Sequence, residues 1–535
     1  MEKTGGKLFQ PLPPDRLTAR LARHPGKPGD PLEGYFSMRI LALSDLHYSN
    51  LSRNQLRNYN PHGALAATLL KKAFLRLEHL GRQPDLVVIT GDLLQGDTSP
   101  QAELDLITLK GVLTRSGIPC LTLPGNHDLN SDTFNRIMGT RPGLHRIGGY
   151  GFIVFNDTFE EHPDYHSCLR PAASLAQTAQ IMQAEPGLPL IALQHAPVYP
   201  AIDSDYPYNP LNAAQIIESY ADSTLFLSLS GHYHRGTAPQ RHRGVLYHTL
   251  PALTNTPFLF SLIELNGTEV EIETLSLRME EDFITDVHCH TEHAYCGTTT
   301  DTAKCIALSR ALGVGQLCIT EHAFQLYFPK SIAMSFAWQS RPEMAAEVWN
   351  TPERSRMQGY REFVAAFRSA YVRAGMEVDL YNGGELLLAP QDLEFDWDVI
   401  VGAVHFIEGY ARKSMPPQEA ERLFMRDVER LLRHGVHVLA HPFRFFGRNR
   451  LETPCHLYQP VAELLAHYTV AAEINYHTHS PDPAFIKICA AKGVQLALGS
   501  DTHELGEAGE FYPHIALMKR AGIRTEEIKN HLFQL

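Results

Sequence analysis

Across its 535 residues the chain has no CxxC pair, and no apolar run approaches the roughly 18 residues that a membrane helix needs. The first absence argues against a thiolate zinc finger, the second against a membrane span. Eight cysteines lie scattered at positions 120, 168, 289, 296, 305, 318, 455 and 489, without the short spacing of a disulfide framework. A reducing, cytoplasmic setting is therefore the expectation, and no secretory signal pattern argues otherwise. Basic tracts are missing too: 47 Lys and Arg face 59 Asp and Glu, a formal charge of −12. That balance disfavours sequence-independent binding to nucleic acid or to an anionic membrane, both of which need a basic face. Nor does a Gly/Ser linker interrupt the chain near 279–282, where its pattern changes.

What is present is an ordinary globular composition, 44% apolar and 20% charged, in a chain too long for one core. Residues 1–37 are rich in Pro and Gly and read as a loose tail, with Met38 as an alternative start. From 38 to 278, RILALSD, DLVVITGD, CLTLPGN, LIALQH and LFLSLSGH are strand-like, and 63–80 has helical spacing. Asn266-Gly267 marks a hairpin. The alternation restarts over 283–535. There FITDVHCH, QLCITEH, VDLYNGGE, DVIVGAVHF, VHVLAHP, VAAEINYH and VQLALGSDTH are seven strand candidates, with helical stretches such as 417–434 between them. An α/β class with two domains follows. Nearly every run ends in His, Asp, Glu or Asn. In parallel α/β architectures ligands gather at the carboxyl ends of strands. Two metal-binding pockets would obey that rule, whereas scattered core histidines would not.

The first ordered set is Asp45-x-His47, Gly91-Asp92, Gly125-Asn126-His127-Asp128, His195 and Gly231-His232-Tyr233-His234. Such oxygen and imidazole donors suit Mn, Fe or Zn. A shared carboxylate can hold two cations about 3.5–4 Å apart, the arrangement used for phosphoester hydrolysis. The series D-x-H…GD…GNHD…H…GHxH resembles the calcineurin-like metallophosphoesterases, and its spelling is similar to the class III cyclic nucleotide phosphodiesterases. The resemblance implies a four-layer αββα sandwich holding two divalent metals. Asp45, His47, Asp92 and His234 would surround one; Asp92, Asn126, His195 and His232 would surround the other, with Asp92 bridging. It further implies that His127 protonates the leaving oxygen, oriented by Asp128. Asp203, Asp205 and Tyr206 either line this pocket or form a solvated loop.

The second set is His288-x-His290, Glu321-His322, Gly384-Glu385, His405, His441 and Asp501-x-His503. It resembles the PHP (polymerase and histidinol-phosphatase) domain, and VLAHP, AAEIN and LGSDTH are similar to its histidinol-phosphatase branch. The implied fold is a distorted (β/α)7 barrel with two or three divalent metals, Zn, Mn or Fe. His288, His290, Glu385 and Asp501 would surround one. Glu385, His405 and His441 would hold a second, and His322 with His503 would reach a third. Many relatives place a further His eight residues after the first, where this chain has Cys296. A thiolate there would be a softer ligand. His293 is the alternative, as ligand or as hydrogen-bonding neighbour. Residues 323–376 read as an insertion, either a lid with aromatic walls or a surface excursion, with Lys330 and Arg341 as candidate phosphate-binding cations.

The function these sets imply is a bifunctional metal-dependent phosphoesterase acting on a small phosphorylated substrate, a nucleotide being one candidate. The first domain would open a phosphodiester, and the second would remove the phosphate from the monoester. Two other readings stay open: a nuclease or repair phosphoesterase, against which the charge argues, and a metal-bound scaffold with inactive sites. No feature of the sequence bears on oligomeric state.

Overall fold

In the strand Ser37–Leu43, Ile40 and Ala42 point into one core while Leu41 and Leu43, also buried, point the other way. Only a strand covered on both faces needs such a run. It belongs to a computed structural model that describes residues 37–535 except 52–59, 97–99, 162–165, 222 and 411–414. The Pro/Gly-rich stretch at 1–36 lies outside the described residues. By internal contacts the chain divides between Leu277 and Arg278 into two compact units.

In the first unit, Ser37–Leu43 pairs parallel with Leu86–Ile89 and antiparallel with Leu259–Asn266. Cys120–Thr122 and Glu269–Ser276 complete a five-stranded sheet. A six-stranded sheet runs in the order Gln240–His242, Val245–Thr249, Leu225–Ser230, Leu190–Leu193, Tyr150–Val154, Gly143–Ile147. Ile40, Val88 and Leu121 of the first sheet share a core with Phe152, Leu193 and Leu229 of the second, so the sheets pack face to face. Helices Ala66–His79 and Pro100–Ser116 connect the parallel strands of the first sheet. Ala172–Ala184 and Ala213–Tyr220 cover the outer face of the second through Leu175, Ile181 and Ile216. The architecture is the expected four-layer αββα sandwich.

The second unit is a closed barrel of seven parallel strands, Thr285–Cys289, Gln316–His322, Val372–Val378, Val399–Gly402, Val438–Leu439, Ala471–Asn475 and Leu496–Gly499. Small and β-branched side chains, among them Val287, Val399, Val401, Ala471 and Ala497, form one of its cores. Helices such as Pro417–Arg433, which buries Leu423, Phe424, Val428 and Leu431 along one face, follow the strands. Among the described residues no helix is long and apolar enough to cross a membrane.

Two expectations for this unit need correction. The third strand is Val372–Val378, not VDLYNGGE. Asn382, Gly383 and Gly384 all have positive φ, so that stretch turns back on itself as a hairpin between Leu380–Tyr381 and Glu385–Leu386. The insertion therefore ends before Val372, and its rings pack into the core of the unit. Trp338 is fully buried, stacks on Phe324 at 5.5 Å and donates its indole N–H to Ala333 O. Phe324, Phe328 and Trp338 belong to the main core of the unit.

Candidate metal centres

In the first unit the chain leaves each strand and delivers a polar side chain within a few residues: Asp45 and His47 after Leu43, Asp92 after Ile89, Asn126 after Thr122, His195 after Leu193, His232 after Ser230. Their donor atoms form two groups, Asp45 with His47 and His234, and Asp92 with His195 and His232. Asp92 faces both, its Oδ2 lying 3.8 Å from His47 Nε2 and 3.3 Å from His195 Nε2. Asn126 Oδ1 is 3.1 Å from the same His195 nitrogen.

The local backbone is bent to make this possible. Asp45, His47, Asp92 and His232 all adopt positive φ, between 48° and 67°. Such conformations cost a non-glycine residue about 1–3 kcal/mol each and persist where the surroundings enforce them. Gly91, at φ +98°, allows the His195 ring to lie against the chain where a Cβ would collide with it. This accounts for the glycine of the Gly-Asp pair.

Donor chemistry and unmet hydrogen bonds fit divalent cations. Asp45 Oδ1, Asp92 Oδ2 and His232 Nε2 are buried without a hydrogen-bond partner. Buried polar atoms are rarely left so unless another ligand completes them. The other oxygens are engaged: Asp45 Oδ2 accepts from His232 N at 3.0 Å, and Asp92 Oδ1 from His127 N at 2.8 Å. His195 Nδ1 is fixed 2.7 Å from Thr90 O, which aims Nε2 at the group. Burial would push the His195 imidazole down, but Asp92 beside it holds its pKa up, at about 9. A cation bound there displaces that proton.

His127 lies 5.2 Å, ring to ring, from His47 and lines the same pocket. Asp128 accepts the backbone N–H groups of Leu93, Leu94 and Gly125. Its carboxylate therefore ties down the loop that carries His127. Burial, then the neighbouring Asp92, raises the Asp128 pKa to about 7 against the pull of those three bonds. Tyr206 does line the pocket, whereas Asp203 and Asp205 are exposed.

In the barrel, three groups of donors share members: His288, His290 and Glu377; His322, Glu377 and His405; and His290, His322 and His503. The carboxylate in the middle is Glu377, not Glu385. Its Oε2 lies 3.4 Å from His288 Nε2 and 3.6 Å from His290 Nε2. Its Oε1 lies 3.4 Å from His405 Nε2 and 3.1 Å from His441 Nε2. Glu385 is exposed and sits in the hairpin that follows. Asp501 Oδ1 completes the cluster, 3.0 Å from His290 Nε2. His322 Nδ1 meets Glu377, so His322 serves the central group as well as the one containing His503.

Fixed outer nitrogens recur here. His288 Nδ1 lies 2.8 Å from Glu473 Oε1, His290 Nδ1 3.2 Å from Glu321 Oε1, and His405 Nδ1 3.1 Å from Asp379. In each ring this leaves Nε2 turned to the cluster. His288 Nε2, Glu377 Oε2 and Asp501 Oδ1 are buried without hydrogen-bond partners, again fitting cations. His441 and Asp501 add two more positive φ angles, 30° and 50°.

Cys296 Sγ is 3.1 Å from His503 Nε2 and 3.4 Å from His322 Nε2. His293 instead packs against Phe363, ring centroids 4.7 Å apart, and Thr291. Cys289 is buried and His477 stacks on His503 at 4.1 Å. Lys330 and Arg341 are both exposed, and no described contact brings either to the cluster. The buried cation there is Arg444, whose Nη1 lies 2.5 Å from Asp501 Oδ2 and whose Nη2 lies 3.4 Å from His405 Nε2. Sequence reading missed it, although it stands three residues after His441, as it missed the supporting carboxylates Glu473 and Asp379.

With this geometry in hand, comparison with known proteins divides at the same place. Residues 38–236 match the family described as calcineurin-like phosphoesterase, and 286–477 match the PHP domain. A probable histidinol-phosphatase of Deinococcus radiodurans is 25% identical over 278 residues, 46% of this chain and 98% of its own. Among solved structures, a dimetal phosphatase from Danio rerio covers 45% of this chain and 98% of its own, at 14% identity and a TM-score of 0.35. A histidinol phosphate phosphatase from Lactococcus lactis, complexed with zinc, L-histidinol and phosphate, covers 45% and 94%, at 16% identity and a TM-score of 0.30.

Proposed function

From the premise that this chain joins a calcineurin-like phosphoesterase domain to a PHP domain, and is thus a metal-dependent phosphoric ester hydrolase, we propose that the two act in turn. The first unit hydrolyses a phosphodiester, and the second removes phosphate from the resulting monoester. The observation that carries this reading is the pair of buried donor clusters, each arranged about one carboxylate, Asp92 and Glu377.

Asp45, His47, Asp92 and His234 would hold one cation of the first unit, and Asp92, Asn126, His195 and His232 the other. In the second unit, His288, His290, Glu377 and Asp501 would hold one, and Glu377, His322, His405 and His441 another. Bound divalent cations neutralise phosphate charge and make hydroxide available near neutral pH. The remaining work belongs to the chain. His127, on a loop tied down by Asp128, stands beside the first cluster without belonging to either donor group, and gives its proton to the leaving oxygen. Arg444 holds Asp501 in place through its Nη1 and sets a fixed positive charge beside the cluster that a bound phosphate would feel.

Cys296 with His322 and His503 forms a third, softer position in the second unit, suited to zinc or cobalt. Cobalt-loaded protein should show a near-ultraviolet thiolate-to-cobalt band that Cys296→Ser removes, with about one metal ion fewer per chain. An unchanged spectrum and metal content would take Cys296 out of the ligand set.

The proposal is tested by following a cyclic nucleotide through wild-type enzyme. The monoester should rise first and inorganic phosphate should follow with a lag. Phosphate without any monoester, even at the earliest times and with carrier monoester added, would refute the order.

A further inference from the structure

The pocket over the first cluster has a volume of about 360 Å³, within the size range of small-ligand sites. One side is the chemistry already described. The other is a wall of three tyrosines, Tyr206, Tyr208 and Tyr233, with Arg235 and Asn255 at the rim. Tyr206 and Tyr208 have ring centroids 4.6 Å apart, Tyr208 meets Tyr233 edge-on at 5.0 Å, and both Tyr206 and Tyr208 approach the His232 ring, at 5.6 and 5.4 Å.

The loop presenting these rings is built to hold still. Asn209 Nδ2 donates to Pro197 O at 2.8 Å and to Pro200 O at 2.9 Å, while its Oδ1 accepts from Ile202 N at 2.7 Å. Tyr208 N donates to Tyr206 O at 2.9 Å, and Tyr206 N to Ser204 Oγ at 3.2 Å. At the near end Tyr199 stacks on His242, 4.5 Å and 8° from parallel. A loop serving only as a connection needs none of these ties, and rings held this way offer contact without the cost of ordering them.

The tyrosines can do nothing for the phosphate itself, which is an affair of cations and imidazoles. They act on what the phosphate carries. Among the described residues no Leu, Ile, Val or Met lines the pocket, so an aliphatic chain would find little to pack against. Partly exposed aromatic faces with hydroxyl tips suit a planar ring with a polar edge. We infer that the wall formed by Tyr206, Tyr208 and Tyr233 is the specificity element of the first unit, and that it selects phosphodiesters bearing a planar heteroaromatic ring, such as a nucleobase. The inference rests on the diesterase reading of that unit.

The test compares two phosphomonoesters that differ only in the base, adenosine 5′-monophosphate and ribose 5-phosphate. Each is used as an inhibitor of the initial rate of bis(p-nitrophenyl) phosphate hydrolysis by manganese-loaded, full-length protein. Adenosine monophosphate should bind roughly 5- to 150-fold more tightly, the range expected of one stacked base. Tyr208→Leu should bring the two within about twofold by weakening only the nucleotide, and Tyr208→Phe should restore the preference. Equal inhibition in wild type would overturn the inference. So would a Tyr208→Leu protein that lowers kcat and weakens both ligands alike, since the ring would then only be seating His232. Should Tyr208→Leu fail to fold, Tyr206→Leu replaces it, with the same outcomes deciding. If no diester is turned over at all, it is the diesterase reading that has failed. The same ligand pair measured by calorimetry on wild type and variants then decides the wall separately.

Discussion

Glu377→Gln lowers phosphomonoester hydrolysis by the second unit about 10³-fold or more, while Glu385→Gln leaves it within about twofold. The contrast follows from placement. Glu377 is fully buried, and its two oxygens lie between 3.1 and 3.6 Å from the Nε2 atoms of His288, His290, His405 and His441. Glutamine keeps the shape but removes the charge on which two cation positions depend. The loss of several kcal/mol of charge stabilisation corresponds to about two to four powers of ten in rate. Glu385 is exposed in a hairpin whose partner is Tyr381, and an exposed carboxylate away from the cluster is replaceable. Phosphate release from a monoester, with metal content measured on the same samples, checks both variants. Equal loss in the two would return the bridging role to Glu385.

Asp92→Asn should reduce diester hydrolysis by a similar factor and leave monoester hydrolysis within about twofold. Asp92 Oδ2 is the atom that faces both groups of the first unit, and it is buried with no hydrogen-bond partner. The amide can still accept from His127 N through its oxygen, as Asp92 Oδ1 does at 2.8 Å, so the loop need not move. What is lost is the negative charge between two cation positions. Measuring diester and monoester rates in parallel separates this from unfolding, because only a local defect spares the second unit. A variant that loses both activities, or neither, would contradict the account.

Much of this was legible in the sequence for one reason. Strands with period-2 or continuous apolar patterns stop at polar residues, and in parallel sheets those stops converge. Asp45, Asp92, His195, His322 and Asp501 could therefore be assigned to clusters before any coordinate was known. Glu377 could not, because it stands inside the strand Val372–Val378, where Gly375 and Arg373 weaken the apolar signal. The Asn-Gly-Gly turn after it offered a false strand end with Glu385 beyond. Arg444 was hidden differently. It opens a short, aromatic-rich helix, Arg444–Arg448, whose Phe445 and Phe446 read as core and are buried beside it. Lys330 and Arg341 show the reverse error, since spacing along an insertion does not say which side of it meets solvent. Tyr208 was overlooked because a ring following Pro in a polar loop carries no periodicity. What places it is the clamp made by Asn209.

The central claim is that diester and monoester chemistry are divided between the units and run in that order. Its most direct test is a product time course on a cyclic nucleotide with manganese, using wild type, Asp92→Asn and Glu377→Gln. Wild type should release inorganic phosphate through a transient monoester, Glu377→Gln should stop at the monoester, and Asp92→Asn should leave the diester intact. Phosphate released from the diester by Asp92→Asn at the wild-type rate would contradict the account, because the first cluster would then have no part in opening it.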